Sequence, residues 1–374
     1  MVIRRVRARV LEGRPVKGVQ FAIGSYDVYS AVLVEVEADD GLVGYGEAIA
    51  RRGAAMARAA VESLLAPVLV GEDPRNVEGL WVKMMNQLRR WGHTRGTVVE
   101  AISGVDIALW DLNGKAEGRS ISALLYGAGR SEVPCYASSV YMADVDTMVG
   151  QAVEQAERGF RAIKIKIGRS ADASGVAADM DAVAAIRRAV GDSVELLVDA
   201  NGAYDAATAI RVARQLEHQR IAWLEEPVPP DDREGYARVH AMTSVPLASG
   251  ETEFSLFAFR ELIERRLIDV VQPDAARCGG ITGMRQIATL AYAHNLAFAP
   301  HTGFSGGISQ LAALQVAASA PTVYMIEHMF IDNPVRELFV EPYPQARASL
   351  LPVPAGPGLG LAVDPKRLAT LTAA

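Results

Sequence analysis

Four short runs decide the fold: AIKIKIG (162–168), VELLVDAN (194–201), IAWLEEP (221–227) and VPLASGE (245–251). Each is apolar, and each closes on a charged or amide side chain. Four runs of the same kind flank them: VPCYAS (133–138) upstream, then IDVVQPD (268–274), LAFAPH (296–301) and VYMIEH (323–328) downstream. Helical patterns fill the gaps, among them Ala173–Val190, Asp205–Glu217, Thr282–Asn295 and Ile308–Ala318. Eight strand-like runs alternating with helices predict an α/β fold, a TIM-type (β/α)8 barrel.

A barrel of about 250 residues leaves part of the 374-residue chain for a companion. Residues 1–50 read as strands: Val2–Leu11, Tyr29–Val36 and, after the Asp39-Asp40-Gly41 turn, Gly41–Glu47. Gly13–Asp27 reads as a long loop of mixed polarity. Ala54–Leu69, Asn76–Arg89 and Val98–Lys115 carry helical periodicity. Strands followed by helices predict a small α+β domain. The expected layout is a capping domain over 1–125 and a barrel over 126–350. A Pro- and Gly-rich segment over 351–374 is expected to return to the cap.

Composition narrows the function classes. Half the residues are hydrophobic and 22% are charged, as in an ordinary globular chain. Lysine and arginine total 38 against 44 acids, a net charge of −6. No basic excess exists to neutralise phosphates, so a nucleic-acid partner is not expected. Cys135 and Cys278 lie 143 residues apart with no CxxC spacing, which predicts two reduced, buried thiols rather than a zinc cluster. The N-terminus lacks the apolar core of a signal peptide, and no run reaches membrane-spanning length. The expectation is a cytoplasmic protein with no membrane partner.

In such barrels the active site lies where the strands end. Here those ends carry Lys164 and Lys166, Asp199 and Asn201, Glu225 and Glu226, Glu251, Asp274, His301, and Glu327 with His328. From Lys166 onward the spacings to the next strand's site residue are 33, 26, 26, 23, 27 and 26 residues. Solubility does not explain seven consecutive charged strand ends in register. Asp199, Glu225 and Glu251 would repel one another without a cation between them. Their oxygen-only donors favour Mg²⁺ or Mn²⁺ over Zn²⁺. Adjacent strand residues alternate faces, which turns Glu226 away from Glu225, towards a supporting or ion-pair role. Lys164 and Lys166 share one face while Ile163, Ile165 and Ile167 take the other. Two crowded amines beside a metal are expected to lower each other's pKa, and a neutral lysine is a base at pH 7. Asp274 and His301 end adjacent strands and form a proton-transfer dyad. No strand-end nucleophile stands out for a Ser/His/Asp hydrolase. Two further substrate contacts are drawn from outside the barrel strands: His93, in the WGH stretch before a helix, and Tyr26, in the Gly13–Asp27 loop.

These segments, with AISGVDIALWDLNGKAEG (101–118), CGGIT (278–282) and the Pro300-His301 pair, occur in an order that resembles the mandelate racemase branch of the mandelate racemase/muconate lactonizing enzyme family. The likeness runs along nearly the whole chain. It implies a modified (β/α)7β barrel beneath an N-terminal α+β cap, a member of the enolase superfamily. It implies Mg²⁺ on Asp199, Glu225 and Glu251, with Lys166 and the His301–Asp274 dyad on opposite faces of a carboxylate substrate. Lys164 would neutralise that carboxylate, Glu327 would hydrogen-bond the enediolate, and Ser138 or Ser139 would hold a carboxylate oxygen. Asn201 joins the substrate contacts. Muconate lactonizing enzymes and dipeptide epimerases place a lysine on strand six, where this chain has Asp274.

The expected reaction is removal of a proton α to a carboxylate, with the enediolate stabilised by metal, Lys164 and Glu327. Dehydration of a sugar acid to a 2-keto-3-deoxy acid is the favoured outcome, by analogy with the family's many acid-sugar dehydratases. RGTVVEAISGVDIALWDLNGK (95–115) and PAGPGLG (354–360) also resemble galactarolactone-type cycloisomerases, which makes lactone opening the alternative. A 2-hydroxy acid racemase or epimerase comes third. A catalytically silent sugar-acid binder is the reading from another class. Homo-oligomers are common in the family this chain resembles.

Overall fold

The computed structural model describes residues 1–15, 18–22, 24–126 and 129–372, without the side chains of Tyr26, Tyr126 and Ser139. The N-terminal sheet has three antiparallel strands, Ile3–Gly13, Tyr29–Ala38 and Val43–Ile49, with Tyr29–Ala38 in the middle. The stretch read as a loop holds a small hairpin instead, Val19–Phe21 paired with Gly24–Tyr26. Its strands are three residues each, too short for alternation to reveal them.

Thr97–Glu117 is the cap's central helix and is buried on nearly every side. It lies directly on the cap sheet because the strand facing it is GYG. A Cβ on Gly46 would sit 1.9 Å from the Gly104 carbonyl oxygen, and one on Gly44 2.1 Å from that of Ala108. The helix's other flank grips the barrel's CGGIT loop. Asp106 accepts from the Thr282 N–H at 2.9 Å, Ser103 Oγ accepts from the Gly279 N–H at 2.9 Å, and Trp110 Nε1 donates to Thr282 Oγ1 at 2.9 Å. The two segments most prominent in the family resemblance are thus two sides of one joint.

The barrel strands are Glu132–Val140, Ala162–Lys166, Glu195–Asp199, Ile221–Glu225, Leu247–Ser249, Val270–Val271, Ala297–Phe298 and Ile326–Met329. They pair in parallel in sequence order, and the eighth pairs with the first. The ring closes where the Tyr324 N–H donates to the Phe298 carbonyl at 2.8 Å and the Glu327 N–H to that of Pro300 at 3.3 Å. Among the described residues a helix follows each of the first seven strands. The eighth leads only to the short 3-10 turn Pro334–Arg336. The architecture is therefore (β/α)7β. The sequence recipe is visible locally: Asp144, Asp172, Asp205 and Asp232 each cap the helix after one of the first four strands, accepting a backbone N–H three residues on.

Inside the ring, Tyr136, Ala162, Leu197, Trp223, Ala248, Val270, Ala299 and Met325 make one layer, a residue from each strand or its flank. Two residues further along seven of the eight strands, the same inward face carries Ser138, Lys164, Asp199, Glu225, Gln272, His301 and Glu327; on the fifth strand Gly250 takes that place and Glu251 follows it. The outward residues Ile163, Ile165, Ile167, Leu196, Val198 and Leu224 join the core under the helices. After the barrel, Leu350–Pro352 pairs antiparallel with barrel strand one. Gly358 then bridges to Ser120 and Thr372 to Leu11.

Candidate active site

The polar layer brings together residues from seven strands. Asp199, Glu225 and Glu251 are buried and offer oxygens that all lie within 4.8 Å of one another. Three buried carboxylates with no nitrogen or sulfur donor suit a hard divalent cation such as Mg²⁺. Burial and the neighbouring Asp199 push the Glu225 carboxyl up to about 7, against Lys164 and Lys166. A divalent cation would relieve that strain, so these residues fit one. Trp223 Nε1 and Gln272 Nε2 donate to Glu225 Oε2 at 3.1 and 2.8 Å. Both lie two residues before a site acid on an inward strand face, a spacing that marks them in the sequence.

Each acid also has a cation. Lys164 Nζ lies 2.8 Å from Glu225 and 2.9 Å from Glu327. Lys166 pairs with Asp199 and donates to Asn201 Oδ1 at 3.3 Å. Glu251 is held by Arg51 Nη1 at 2.9 Å and by His301 Nε2 at 3.1 Å. The expected lowering of the lysine pKa values is not what the structure gives. Burial works against both ammonium groups, but Glu225 and Glu327 around Lys164, and Asp199 beside Lys166, hold both amines above the usual lysine range. That expectation presupposes a metal satisfying the acids.

His301 Nδ1 lies 2.8 Å from Asp274, and Nε2 faces Glu251 and Glu327. Burial opposes its charge, yet Glu251, Glu327 and Asp274 raise it to about 10. Glu327 takes the Thr302 N–H at 2.9 Å. Lys164 and His301 hold its carboxyl far below the usual range despite burial.

Glu226 departs from the alternation rule. Its φ is +41°, so the strand ends at Glu225 and the chain twists in the left-handed region. Its carboxyl takes the Thr252 hydroxyl at 2.7 Å and feels Glu251 and Asp199, which together with burial raise it well above the usual range. Among the described residues it has no ion-pair partner.

Phe21, Arg51, Ser138, Lys166, Asn201, Glu251, His301, Gly303, Phe304, Glu327 and Met329 enclose a cavity of about 20 Å³. That is room for about one water molecule. Phe21 roofs it from the cap hairpin, 5.2 Å from the Phe304 ring. His93 is exposed and lies outside this lining. The side chains of Tyr26 and Ser139, and all of Lys17 and Ile23, fall outside the described residues. The sequence reading missed Arg51. It comes from the cap, and no spacing rule ties a cap residue to a barrel strand end.

Residues 5–126 match the family model for the mandelate racemase/muconate lactonizing enzyme N-terminal domain, and residues 147–367 match that for the enolase C-terminal domain-like fold. The chain belongs to the mandelate racemase/muconate lactonizing enzyme family. It is an enzyme of the enolase superfamily. D-galactarolactone cycloisomerase of Agrobacterium fabrum is 38% identical over 376 aligned positions, 97% of either chain. Arabinonate dehydratase of Saccharolobus solfataricus is 34% identical over 89% of this chain and 88% of its own. Among solved structures, a racemase from Streptomyces coelicolor with bound magnesium superposes with a TM-score of 0.88 at 30% identity, over the whole of both chains. The 3,6-anhydro-D-galactonate cycloisomerase of Zobellia galactanivorans gives 0.89 at 30% identity, again over both chains.

Proposed function

We propose that this family member removes the proton α to the carboxylate of a sugar acid and expels the oxygen on the β-carbon, leaving a 2-keto-3-deoxy acid. The observation that carries this is the cavity itself. Lys166 stands on one wall and the His301–Asp274 dyad on another, above three facing carboxylates. Relatives named for arabinonate dehydration and galactarolactone cycloisomerisation support sugar acids as the substrate class.

Asp199, Glu225 and Glu251 would hold Mg²⁺, the ion bound to the Streptomyces coelicolor racemase. Bound there, the ion would supply Lewis-acid stabilisation of charge on the substrate carboxylate. The chain's own groups do the rest. Lys164, paired with Glu225 and with the cavity-lining Glu327, adds positive charge near that carboxylate. Ser138 and Asn201 orient it. Lys166 and His301 move protons at the α-carbon and the leaving oxygen, with Asp274 fixing the imidazole. The Phe21 roof excludes water from the enediolate and must shift to admit a sugar acid, because the closed cavity is far smaller than one.

Two leaving groups fit this chemistry: hydroxide from an open sugar acid, and the ring oxygen of a lactone. The test is to incubate the Mg²⁺-loaded enzyme with aldonates, aldarates and their lactones, and to trap the product's ketone as a semicarbazone. Mg²⁺-dependent ketone formation is the expected result. Tight substrate binding without ketone or α-proton exchange would make the protein a silent binder and overturn the proposal.

A further inference from the structure

Arg51 has no part in the scheme above, yet it lines the closed cavity. It follows the cap strand Val43–Ile49 and reaches over the rim to Glu251 Oε1 at 2.9 Å. The other oxygen of the same carboxylate lies 3.1 Å from His301 Nε2. One glutamate therefore sets Arg51 and His301 side by side. Lys166 stands elsewhere on the ring, on strand two, against Asp199 and Asn201. Lys164 is engaged by Glu225 and Glu327 and does not line the cavity. The cavity has the Lys166 amine on the side where the proton would leave, and a guanidinium beside the imidazole where the β-oxygen would leave.

A guanidinium does not give up a proton near neutral pH, so it cannot protonate a departing hydroxide. It is well suited to a departing carboxylate, whose planar pair of oxygens it can bind in a fork. We infer that Arg51 receives the leaving group, and that the leaving group is a carboxylate, so that the substrate is a sugar-acid lactone. This rests on the β-elimination reading above. Lys166 takes the α-proton as the neutral amine, the form it would hold once a metal, rather than its ammonium, satisfies Asp199. The electron pair of that C–H bond first enters the enediolate of the carboxylate; when the enediolate collapses, the pair becomes the Cα–Cβ double bond as the Cβ–O bond breaks. The ring oxygen departs with the electrons of its bond, as part of a carboxylate facing Arg51. The enol then ketonises, losing its hydroxyl proton and gaining one at Cβ. The lactone monoanion thus becomes a keto dicarboxylate, and one proton, from Lys166, passes to solvent. Dehydration of an aldonate releases water and no proton, so the two reactions differ in a weakly buffered assay.

The test compares wild type with Arg51→Gln and Arg51→Lys on galactarolactone and on open aldonates, in D₂O with Mg²⁺. Elimination is followed by proton release and by new 3-deoxy resonances, and enediolate formation by deuterium at the α-carbon. In Arg51→Gln, lactone elimination is expected to fall by about 100-fold, the usual loss on removing one donor to a developing oxyanion. Deuterium exchange is expected to persist within a few-fold, so the ratio of exchange to elimination rises, and Arg51→Lys recovers part of the loss. Calorimetric Mg²⁺ titration of Arg51→Gln is expected to show binding retained. Parallel loss of exchange and elimination, or loss of Mg²⁺ binding, would make Arg51 a support for Glu251 and overturn the assignment. So would a wild-type enzyme that turns over aldonates but not lactones, which leaves the elimination reading intact. No exchange by wild type on any substrate defeats the elimination reading itself.

Discussion

Lys166 and His301 occupy different walls of a cavity that holds about one water, so neither can stand in for the other. Lys166→Ala and His301→Asn are each expected to cut turnover by about 1,000-fold or more, within the range of general acid–base contributions. Steady-state kinetics on folded variants checks this, and full activity in either one removes its assigned role. Glu251→Gln replaces one of three facing carboxylates with a neutral amide. It is expected to weaken Mg²⁺ binding by about tenfold or more, since even loss of an outer partner costs that much. An unchanged calorimetric titration would remove Glu251 from the ligand set. These residues are legible in the sequence because strands of a parallel barrel end at one level. Spacings of 23 to 33 residues therefore translate into a ring of side chains. Glu226 is not legible in this way, because period-two alternation holds only while the strand lasts, and the strand stops one residue earlier.

At the scale of elements, the joint between cap helix and barrel carries the next expectations. Gly46 has no room for a side chain against Gly104. Gly46→Val is expected to cost about 3 kcal/mol in denaturant unfolding, the upper end of ordinary overpacking. An unchanged midpoint would mean the helix can lift off the sheet. Asp106, on the cap helix, accepts the Thr282 N–H from the first turn of helix Gly280–Ala293, and burial raises its carboxyl to about 7 from 3.8. A folded pKa above the unfolded one gives stability that is complete below the unfolded value and lost as pH rises through the folded one. The urea midpoint is therefore expected to fall between about pH 4 and pH 7 and to level off above that. Glu47, also raised to about 7 by burial, contributes to the same decline. Asp106→Asn should flatten the pH profile, and an identical slope in that variant would assign the whole effect elsewhere. The cap helix itself is legible from its apolar periodicity. The hairpin is not, because it has only three residues a side.

At the scale of the molecule, the site belongs to both halves of the chain. The barrel supplies the acids, the lysines and the histidine dyad, all written in repeating strand-to-helix units that a sequence displays. The cap supplies Phe21 over the cavity and Arg51 on its rim. Their positions depend on how two bodies dock through Asp106, Trp110 and the Gly279–Thr282 loop, which no local pattern encodes. General chemistry is thus readable from the barrel alone, while the identity of the leaving group depends on the cap. The most direct test of the central claim is proton NMR in D₂O with Mg²⁺, over aldonates, aldarates and their lactones. The expected result is loss of the α-proton signal with growth of 3-deoxy resonances, strongest with a lactone. A folded, Mg²⁺-binding protein that leaves every α-proton in place across the panel would contradict it.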